Sequence, residues 1–395
     1  MTCHLPYPAV SGGRLRELEL LKRLAQRFDV EVCAVTKTFA DDIRNAHVLE
    51  RLGSRVTLFP AEPPRRDGGS PRQVLRHRSA SAAAYLESAL SRVDLIHVEG
   101  FYLMALLPEP CPAPVVLVEQ NVEYRLWLQR AESSRNGIRI EHVREFARTR
   151  DAERRTWLAA DRCAVLTKDD GEAILALEPG LDVAIVPDGI DHLPLALPQE
   201  PPLPPSLVFV GNFGYEPNVD AARFLCRDIL PLVLAAVADV RLTLVGNSAP
   251  RELQLLASPN VALTGRVPRV EQYLDDAHVV VAPLRIGGGV KVKVLEALRR
   301  GKAIVSTSIG TQGLAGADGC LRQEDDPAGF AHAVVDVLRH PDERRRLERA
   351  AREFAANLPT WDDSADALAS LWERTAAARQ RPVAHLLSKG RSSRC

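Results

Sequence analysis

The sequence lacks long hydrophobic runs and an excess of charge of either sign. No apolar stretch among its 395 residues approaches the length of about 20 residues that crosses a membrane. Lysine plus arginine and aspartate plus glutamate both number 51, so no overall field would hold the chain on nucleic acid or on an anionic membrane. We therefore expect a local anion site, no nucleic-acid partner and no stable membrane insertion, with peripheral membrane contact left open.

The sequence also lacks paired cysteines. Its seven cysteines are scattered, with no C-x-x-C pair and no histidine at zinc-binding spacing. We therefore expect neither a disulfide framework nor a metal site. At the start of the chain, Pro6, Pro8, Gly12 and Gly13 interrupt any apolar signal core, so we expect a cytoplasmic protein.

The chain does contain enough apolar residues, 46%, to build two domains of roughly 200 residues each. Short runs rich in Val, Ile and Leu recur, and most precede a stretch with helical spacing, which indicates parallel sheets covered by helices. The predicted strands are Val30–Thr36, Arg55–Pro60, Leu95–Gly100, Val115–Asn121, Cys163–Thr167, Val183–Pro187, Leu207–Asn212, Arg241–Asn247, Val261–Gly265, Val279–Leu284 and Ala303–Ser308.

A proline-rich segment separates the two halves of this α/β pattern. We predict a Rossmann-like domain over 1–191, a linker over 192–206, a second Rossmann-like domain over 207–358, a helix over 359–379 that packs back on the first domain, and a polar tail over 380–395. Ligands of open parallel sheets bind beyond the carboxyl ends of the strands. The predicted functional site is therefore the cleft between the two domains.

The most informative segment is VVVAPLRIGGGVKVKVLEALRRGKAIVSTSIGTQG, residues 279–313. A strand ends there in Gly287–Gly289, and a helix is predicted to begin near Val290. The glycines would let the backbone approach a diphosphate, while the helix start would aim free N–H groups and its positive dipole end at that ligand. Lys291 and Lys293 place positive charge where the dipole disfavours it, which a bound anion would relieve.

Glu296 follows Lys293 by three residues and shares its helical face. A carboxylate at that position would accept hydrogen bonds from both hydroxyls of a ribose. From the spacing alone, a flexible loop with a surface lysine–glutamate pair is an equal alternative, because a glycine cluster by itself is weak evidence.

Several segments resemble retaining glycosyltransferases of the GT-B fold, specifically the family 4 or group 1 type. APLRIGGGVKVKVLEALRRGKAIVSTSIGTQGL is similar to their nucleotide-sugar site, and FVGNFGYEPNVDAARFLCRDILPLV to the opening of their C-terminal domain. PYPAVSGGRLRELELLKRLAQ is similar to their glycine loop and first helix, and VEQNVEYRLW to their acceptor-side loop. The resemblance runs from about residue 5 to about residue 375.

This resemblance implies an enzyme that moves a sugar from a nucleotide diphosphate sugar to an acceptor, with retention and without a metal or other cofactor. The sequence does not identify the acceptor: a polysaccharide, a glycolipid and a natural-product precursor all stay open. Lys293 would contact the donor diphosphate and Glu296 its ribose. The other implied donor-side residues are Gly12, Gly13, Gly211, Asn212, Asn218, Gly265, Arg266, Val267, Gly287, Gly288, Gly289 and Lys291. Gln120 and Asn121 would lie on the acceptor or sugar side.

Two of these assignments have simple structural alternatives. Gly12 and Gly13 would also suit a plain helix-entry turn, and Arg266 would equally suit a solvated charge at the rim of the site. Three departures from the family pattern leave the site with fewer charged and titratable side chains. Gly288 stands where many members have a glutamate, Asn212 and Asn218 stand where many have an arginine and a lysine, and Gln120 stands where many have a histidine.

Two other functions of the same architecture stay open at this point. A nucleotide-sugar epimerase would need acid and base groups facing the sugar, and Gln120 cannot titrate. A catalytically silent nucleotide-binding protein is compatible with the thinned site. A dinucleotide-dependent oxidoreductase is not supported, because no G-x-G-x-x-G follows a strand with an acidic residue about 20 positions later.

The beginning of the chain is the last unusual feature. Relatives have a full first strand before the glycine loop, whereas only Met1–Leu5 are available here, short of an ordinary strand of about five or six residues with its connection. We therefore expect either further residues upstream or a shortened strand in the first sheet next to Gly12 and Gly13.

Overall fold

The computed structural model describes residues 1–65, 67–134, 136–191 and 200–380. Part of the predicted linker, residues 192–199, and most of the predicted tail, residues 381–395, lie outside these ranges.

The strands confirm the parallel pattern expected from the apolar runs. Their bounds are β1 Glu31–Thr36, β2 Arg55–Pro60, β3 Ile96–Glu99, β4 Val115–Glu119, β5 Arg162–Val165, β6 Val183–Ile185, β7 Ser206–Val210, β8 Arg241–Val245, β9 Val261–Leu263, β10 Val279–Ala282, β11 Ile304–Ser306 and β12 Arg322–Gln323. Each of β1 to β11 overlaps a predicted strand. β12 was not predicted, because two residues are too few to show a pattern.

Helices alternate with these strands. Their bounds are α1 Gly12–Leu24, α2 Phe39–Glu50, α3 Arg72–Arg76, α4 Ala80–Ala89, α5 Glu123–Ser133, α6 Asn136–Ala159, α7 Lys168–Leu177, α8 Glu216–Phe224, α9 Leu230–Ala236, α10 Arg251–Gln254, α11 Glu271–Asp275, α12 Val292–Arg299, α13 Pro327–Arg339, α14 Pro341–Ala355 and α15 Trp361–Gln380. Phe101–Leu106 and Ala317–Gly319 form 3-10 turns, and a π-helical turn, Leu225–Ile229, joins α8 to α9.

The C-terminal half contains one six-stranded parallel sheet in the order β12-β11-β10-β7-β8-β9. Its central strand β10 is buried along its whole length, and α13 packs on one side of it while α12 contacts the neighbouring β11. A strand buried on both faces has to be apolar throughout, as Val279–Ala282 is. This arrangement brings the carboxyl ends of β7 and β10 to the same edge of the sheet.

The N-terminal half contains a four-stranded parallel sheet, β3-β4-β5-β6, and the parallel pair β1-β2. Met1 and Thr2 connect the two sets. The Met1 amino group donates to the His97 carbonyl at 2.6 Å, and the Thr2 carbonyl accepts from the Val35 amide at 3.0 Å. Thr2 forms an isolated bridge to Ala34, and a cavity of about 620 Å³ lies beside it, between β1 and β3. The expectation about the beginning of the chain stays a prediction.

The last helix, α15, packs on the first half of the chain. Its residues Leu368 and Leu371 share an apolar cluster with Leu20 of α1 and Val116 of β4. On the polar face of α15, Asp366 forms an ion pair at 2.5 Å with Arg27, which lies just after α1. No helix of the described ranges is long and apolar enough to cross a membrane.

Candidate active site in the cleft between the two halves

Two helix N-termini meet in the cleft. α1 begins at Gly12, where the Ser11 side chain caps it, and α12 begins at Val292, two residues later than the sequence predicted. A β-carbon on Gly12 would lie only 2.9 Å from Cγ2 of Val292. Because each helix start carries free N–H groups and a partial positive charge, their meeting point favours an anion.

The triple-glycine loop before α12 is held by the N-terminal half. The Gln129 side chain accepts from the Gly287 amide at 3.0 Å and donates to the Gly287 carbonyl at 3.2 Å. With its amide nitrogen turned toward the loop, Asn121 donates to the Gly288 carbonyl at 2.9 Å. These hydrogen bonds join residues more than 150 positions apart, so the shape of the loop depends on closure of the cleft.

Lys291 lies inside this loop. Its ammonium donates to the carbonyls of Gly288 and Gly289 at 2.9 and 2.6 Å. Burial lowers the pKa of Lys291 to about 8, against an opposing effect of Asp170. The side chain therefore fixes the loop, and its direct contact with a ligand stays a prediction.

Lys293 extends to a different neighbourhood, the end of β7. Its ammonium donates to Oδ1 of Asn218 at 2.6 Å and lies 4.6 Å from the ring centre of Phe209. Burial, followed by the charge of Lys291, lowers the pKa of Lys293 to about 7. Asn218 and Phe209 carry no negative charge, so the cation keeps its attraction for an anion.

Glu296 lies one turn further along α12 and is half-buried. Burial raises the pKa of its carboxyl group, and the nearby Arg299 opposes that effect. Within the described part of the chain its carboxylate makes no hydrogen bond and no ion pair. It therefore retains acceptor capacity for ligand hydroxyls.

The loop after β7 connects the other predicted residues to Lys293. The Asn218 amide donates to the Asn212 carbonyl at 2.9 Å, and Oδ1 of Asn212 accepts from the Gly214 amide at 2.9 Å. A β-carbon on Gly211 would lie 3.0 Å from the Asn218 side chain. Gly211, Asn212 and Asn218 thus form one network that positions the ammonium of Lys293.

The residues predicted to border the base follow β9. Gly265 has a φ of +67°, a left-handed conformation that glycine adopts freely, and pairs with Gly246. Arg266 is exposed, and Val267 packs against the core of the C-terminal half. The exposure of Arg266 is compatible with either sequence-based alternative, and a role in binding the base stays a prediction.

Gln120 follows β4 and lies beside the start of α1, on the opposite wall of the cleft. A β-carbon on Gly13 would lie 2.5 Å from Oε1 of Gln120, and Nε2 of Gln120 donates to Glu17 at 3.1 Å and to Glu99 at 3.0 Å. Two carboxylates thus fix the amide with its oxygen toward the glycine turn. A carbonyl oxygen held in this way can accept a hydrogen bond from a hydroxyl group.

Two further features of the site have no local sequence signal. Gln129 holds the glycine loop, but a glutamine on an amphipathic helix resembles any solvated residue. Arg285, just before the loop, forms a bidentate pair with Asp220 at 2.6 and 3.0 Å and stacks on Phe224. Both depend on contacts between distant segments, which no local pattern encodes.

The site can therefore stabilise an anion with helix ends and one partly desolvated lysine. Among the residues that the structure describes, no group of three or more histidine, cysteine, aspartate or glutamate side chains could hold a metal ion. Acidic side chains at the starts of α7 and α13 serve local structure: Asp170 accepts a hydrogen bond from the Thr167 hydroxyl at 2.8 Å, and Asp326 caps α13.

Comparison with known proteins decides the class. Residues 204–340 match the family model of glycosyl transferases group 1. The chain is a glycosyltransferase with the GT-B fold. The matched segment of this glycosyltransferase contains β7 to β12, Lys293, Asn218 and the triple-glycine loop.

Relatives of this glycosyltransferase cover most of the chain. An uncharacterized 44.6 kDa protein of the cps region of Klebsiella pneumoniae is 28% identical over 78% of this chain and 82% of its own length. Glycogen synthase of Mycobacterium tuberculosis is 25% identical over 58% of this chain, which spans 59% of that enzyme.

Solved structures share the fold at low sequence identity. Anabaena HepE, solved in complex with UDP and glucose, superposes with a TM-score of 0.67 at 12% identity, over 94% of this chain and 98% of HepE. Such a match establishes the two-domain GT-B architecture.

Proposed function

We propose that this enzyme transfers a sugar from a nucleotide diphosphate sugar, with the diphosphate bound where the N-termini of α1 and α12 meet. The approach of Gly12 to Val292 carries the proposal, because two positive helix ends face one space beside the Lys293 ammonium. The absence of side chains at Gly12 and Gly13 lets the start of α1 approach Val292 and Gln120 this closely. Glu296, one turn away, would accept hydrogen bonds from the ribose hydroxyls.

The electrostatics suit departure of a nucleoside diphosphate. As the bond between sugar and phosphate breaks, negative charge grows on the leaving phosphate, and fixed N–H dipoles together with Lys293 stabilise it without reorganising. We propose that no metal is needed for this step. The partly desolvated lysine is worth more here than an exposed one, because the local dielectric is low.

We further propose that the reaction retains the anomeric configuration. The acceptor hydroxyl would attack from the face that the diphosphate leaves, and a leaving phosphate oxygen would take its proton. Gln120 and Asn121 line the opposite wall, where the amide oxygen of Gln120 would orient a sugar hydroxyl. Gln120 cannot act as an acid or base, which fits a positioning role.

The donor class has support from a structural neighbour, since HepE binds UDP and glucose in the same fold. The acceptor of this enzyme is a carbohydrate or a carbohydrate precursor in this proposal, consistent with the glycogen synthase likeness.

Donor hydrolysis in the absence of acceptor tests the proposal. A panel of sugar nucleotides is incubated with the enzyme, and the released sugar is followed by proton NMR from the first minutes. The expected result is release of a nucleoside diphosphate, with the anomeric configuration of the donor appearing first. Release of the opposite anomer would contradict retention. Failure of every sugar nucleotide, in the presence and absence of a general carbohydrate acceptor mixture, would contradict the donor assignment.

A further inference from the structure

A second polar cluster lies on the N-terminal side of the cleft, among residues that precede α1. Sγ of Cys3 lies 3.2 Å from Nδ1 of His4, and Nε2 of His4 lies 3.0 Å from Oε1 of Glu17. Tyr102 donates its hydroxyl hydrogen to Sγ at 3.4 Å. Thiol, imidazole and carboxylate thus stand in the order of a nucleophile, its base and the group that orients the base.

The cluster is anchored from several elements. Glu17 belongs to α1, and its second carboxylate oxygen accepts a hydrogen bond from the Thr2 hydroxyl at 2.6 Å, which fixes the carboxylate in place. The ring of His77, from the end of α3, stacks on Tyr102 with centroids 4.5 Å apart. The charged and titratable side chains that influence Cys3 or are influenced by it are His4, Glu17, Lys37, His77, Tyr102 and Glu123.

These neighbours change the acidity of the thiol. Burial alone would raise the pKa of Cys3, but the charges and hydrogen bonds of His4 and His77 outweigh it and lower that pKa to about 5. Burial would likewise lower the pKa of His4, yet Glu17 and Cys3 raise it well above its ordinary value. A thiolate paired with an imidazolium is therefore the stable form at neutral pH.

The other described cysteines lack such partners. Cys111 and Cys226 are half-buried like Cys3, but burial raises the pKa of both, for Cys226 to about 11. Cys33, Cys163 and Cys320 are buried. The chain therefore contains its own matched controls, two thiols of similar exposure without an imidazole.

We propose that Cys3 is a modification site that forms mixed disulfides with low-molecular-mass disulfides, and that this modification inhibits glycosyl transfer. The Cys3 sulfur forms a bond to one sulfur of the disulfide, whose S–S bond breaks. The other sulfur leaves with the electron pair and takes the proton of His4. Cys3 is oxidised and the departing half of the reagent is reduced to a thiol, so no further reactant is needed.

The position of Cys3 explains the inhibition. Glu17, which orients His4, also accepts the hydrogen bond that fixes Gln120, and Gln120 lies against the glycine turn at Gly13. A bulky group on Sγ would displace His4 and loosen this chain of contacts. This consequence rests on the proposed function, whereas the reactivity of the thiol does not.

The first test uses the full chain with glutathione disulfide at about pH 6.5, where an ordinary thiol is roughly 1% ionised. Acid-quenched samples are analysed by peptide mass spectrometry, which reads each cysteine separately. Cys3 should form the mixed disulfide at least about tenfold faster than Cys111 and Cys226. Equal rates for the three would overturn the proposal.

The second test asks whether the fast modification of Cys3 depends on the His4 imidazole or only on the exposure of the thiol. His4→Gln should slow modification of Cys3 by about tenfold at this pH and restore a rate that rises up to about pH 9, as for an ordinary thiol. An unchanged rate would overturn the role of the pair. A circular dichroism spectrum and melting curve of the variant confirm that it is folded.

The third test measures sugar transfer or donor hydrolysis before and after modification. Activity should fall by at least about tenfold with stoichiometric labelling of Cys3 and return with dithiothreitol, on the scale of losing a positioning contact. Cys3→Ser should resist inhibition, while Cys111→Ser stays sensitive. Full activity of the labelled protein would overturn the inhibitory role. An enzyme that is inactive before labelling would instead contradict the proposed function.

Discussion

The Lys293 ammonium donates a hydrogen bond to the side-chain oxygen of Asn218 across 2.6 Å. The two residues come from α12 and α8, on either side of the carboxyl edge of the C-terminal sheet. An amide partner fixes the position of the ammonium without neutralising it, as a carboxylate would. The arrangement holds a cation ready for an anionic ligand.

Removing that cation should slow the chemical step. Lys293→Ala is expected to lower kcat by about a hundredfold, the scale for losing a charge stabiliser of a leaving group. Steady-state kinetics with a sugar nucleotide donor provides the measurement. Lys168→Ala removes an exposed lysine of α7 and is the control. Wild-type turnover in Lys293→Ala would remove this lysine from the mechanism.

The same lysine should impose a pH dependence. Since burial and Lys291 lower the pKa of Lys293 to about 7, the free enzyme loses this charge as the pH rises through that value. The kcat/KM for the donor should therefore fall above about pH 7. In Lys293→Arg the guanidinium stays charged to about pH 12, so the fall should move to higher pH. A profile that is identical in both proteins would contradict the assignment.

The glycine loop should not tolerate a side chain. Gly289 has a φ of +59°, and a β-carbon there would lie 3.0 Å from both the Gln120 carbonyl and the side-chain amide of Asn121. Gly289→Ala should lower kcat/KM at least about tenfold, because the displaced loop no longer fits the ligand. Gly68 is the matched control, with a φ of +79° and nothing within 4 Å of its β-carbon position. Equal activity of the two variants would contradict the role of the loop.

Chelation should leave the activity intact, since we propose that helix dipoles and Lys293 stabilise the leaving group. Initial rates are compared in excess EDTA and in its absence, with the donor saturating. Complete loss of activity that magnesium or manganese restores would contradict the metal-free mechanism.

The sheets could be predicted from the sequence because buried parallel strands are locally apolar. β1 to β11 each overlap a predicted run, whereas β12 spans only two residues and gives no pattern. The hydrogen bonds of Met1 and Thr2 to β3 and β1 could not be predicted from the sequence either, since their partners lie about 95 and 30 residues away.

The sequence predicted which residues form the site better than it predicted which of them contact one another. Lys291 and Lys293 read alike in the sequence, as two cations at the start of a helix. Lys291 lies just before α12 in an extended conformation, whereas Lys293 lies in its first turn, and the structure directs one ammonium into the loop and the other toward Asn218. The approach of Gly12 to Val292 joins segments 280 positions apart, which periodicity cannot reveal.

Isothermal titration with nucleoside diphosphates tests the central claim most directly, because it measures the diphosphate site without any acceptor. A panel of bases is titrated into the wild-type enzyme, and the best ligand then into Lys293→Ala, Glu296→Ala and Lys168→Ala. We predict that one nucleoside diphosphate binds the wild type and the Lys168 variant equally. The other two variants should bind it at least about tenfold more weakly, a loss of about 1.4 kcal/mol. Binding of equal strength in Lys293→Ala and the wild type, or no binding by any member of the panel, would contradict the account.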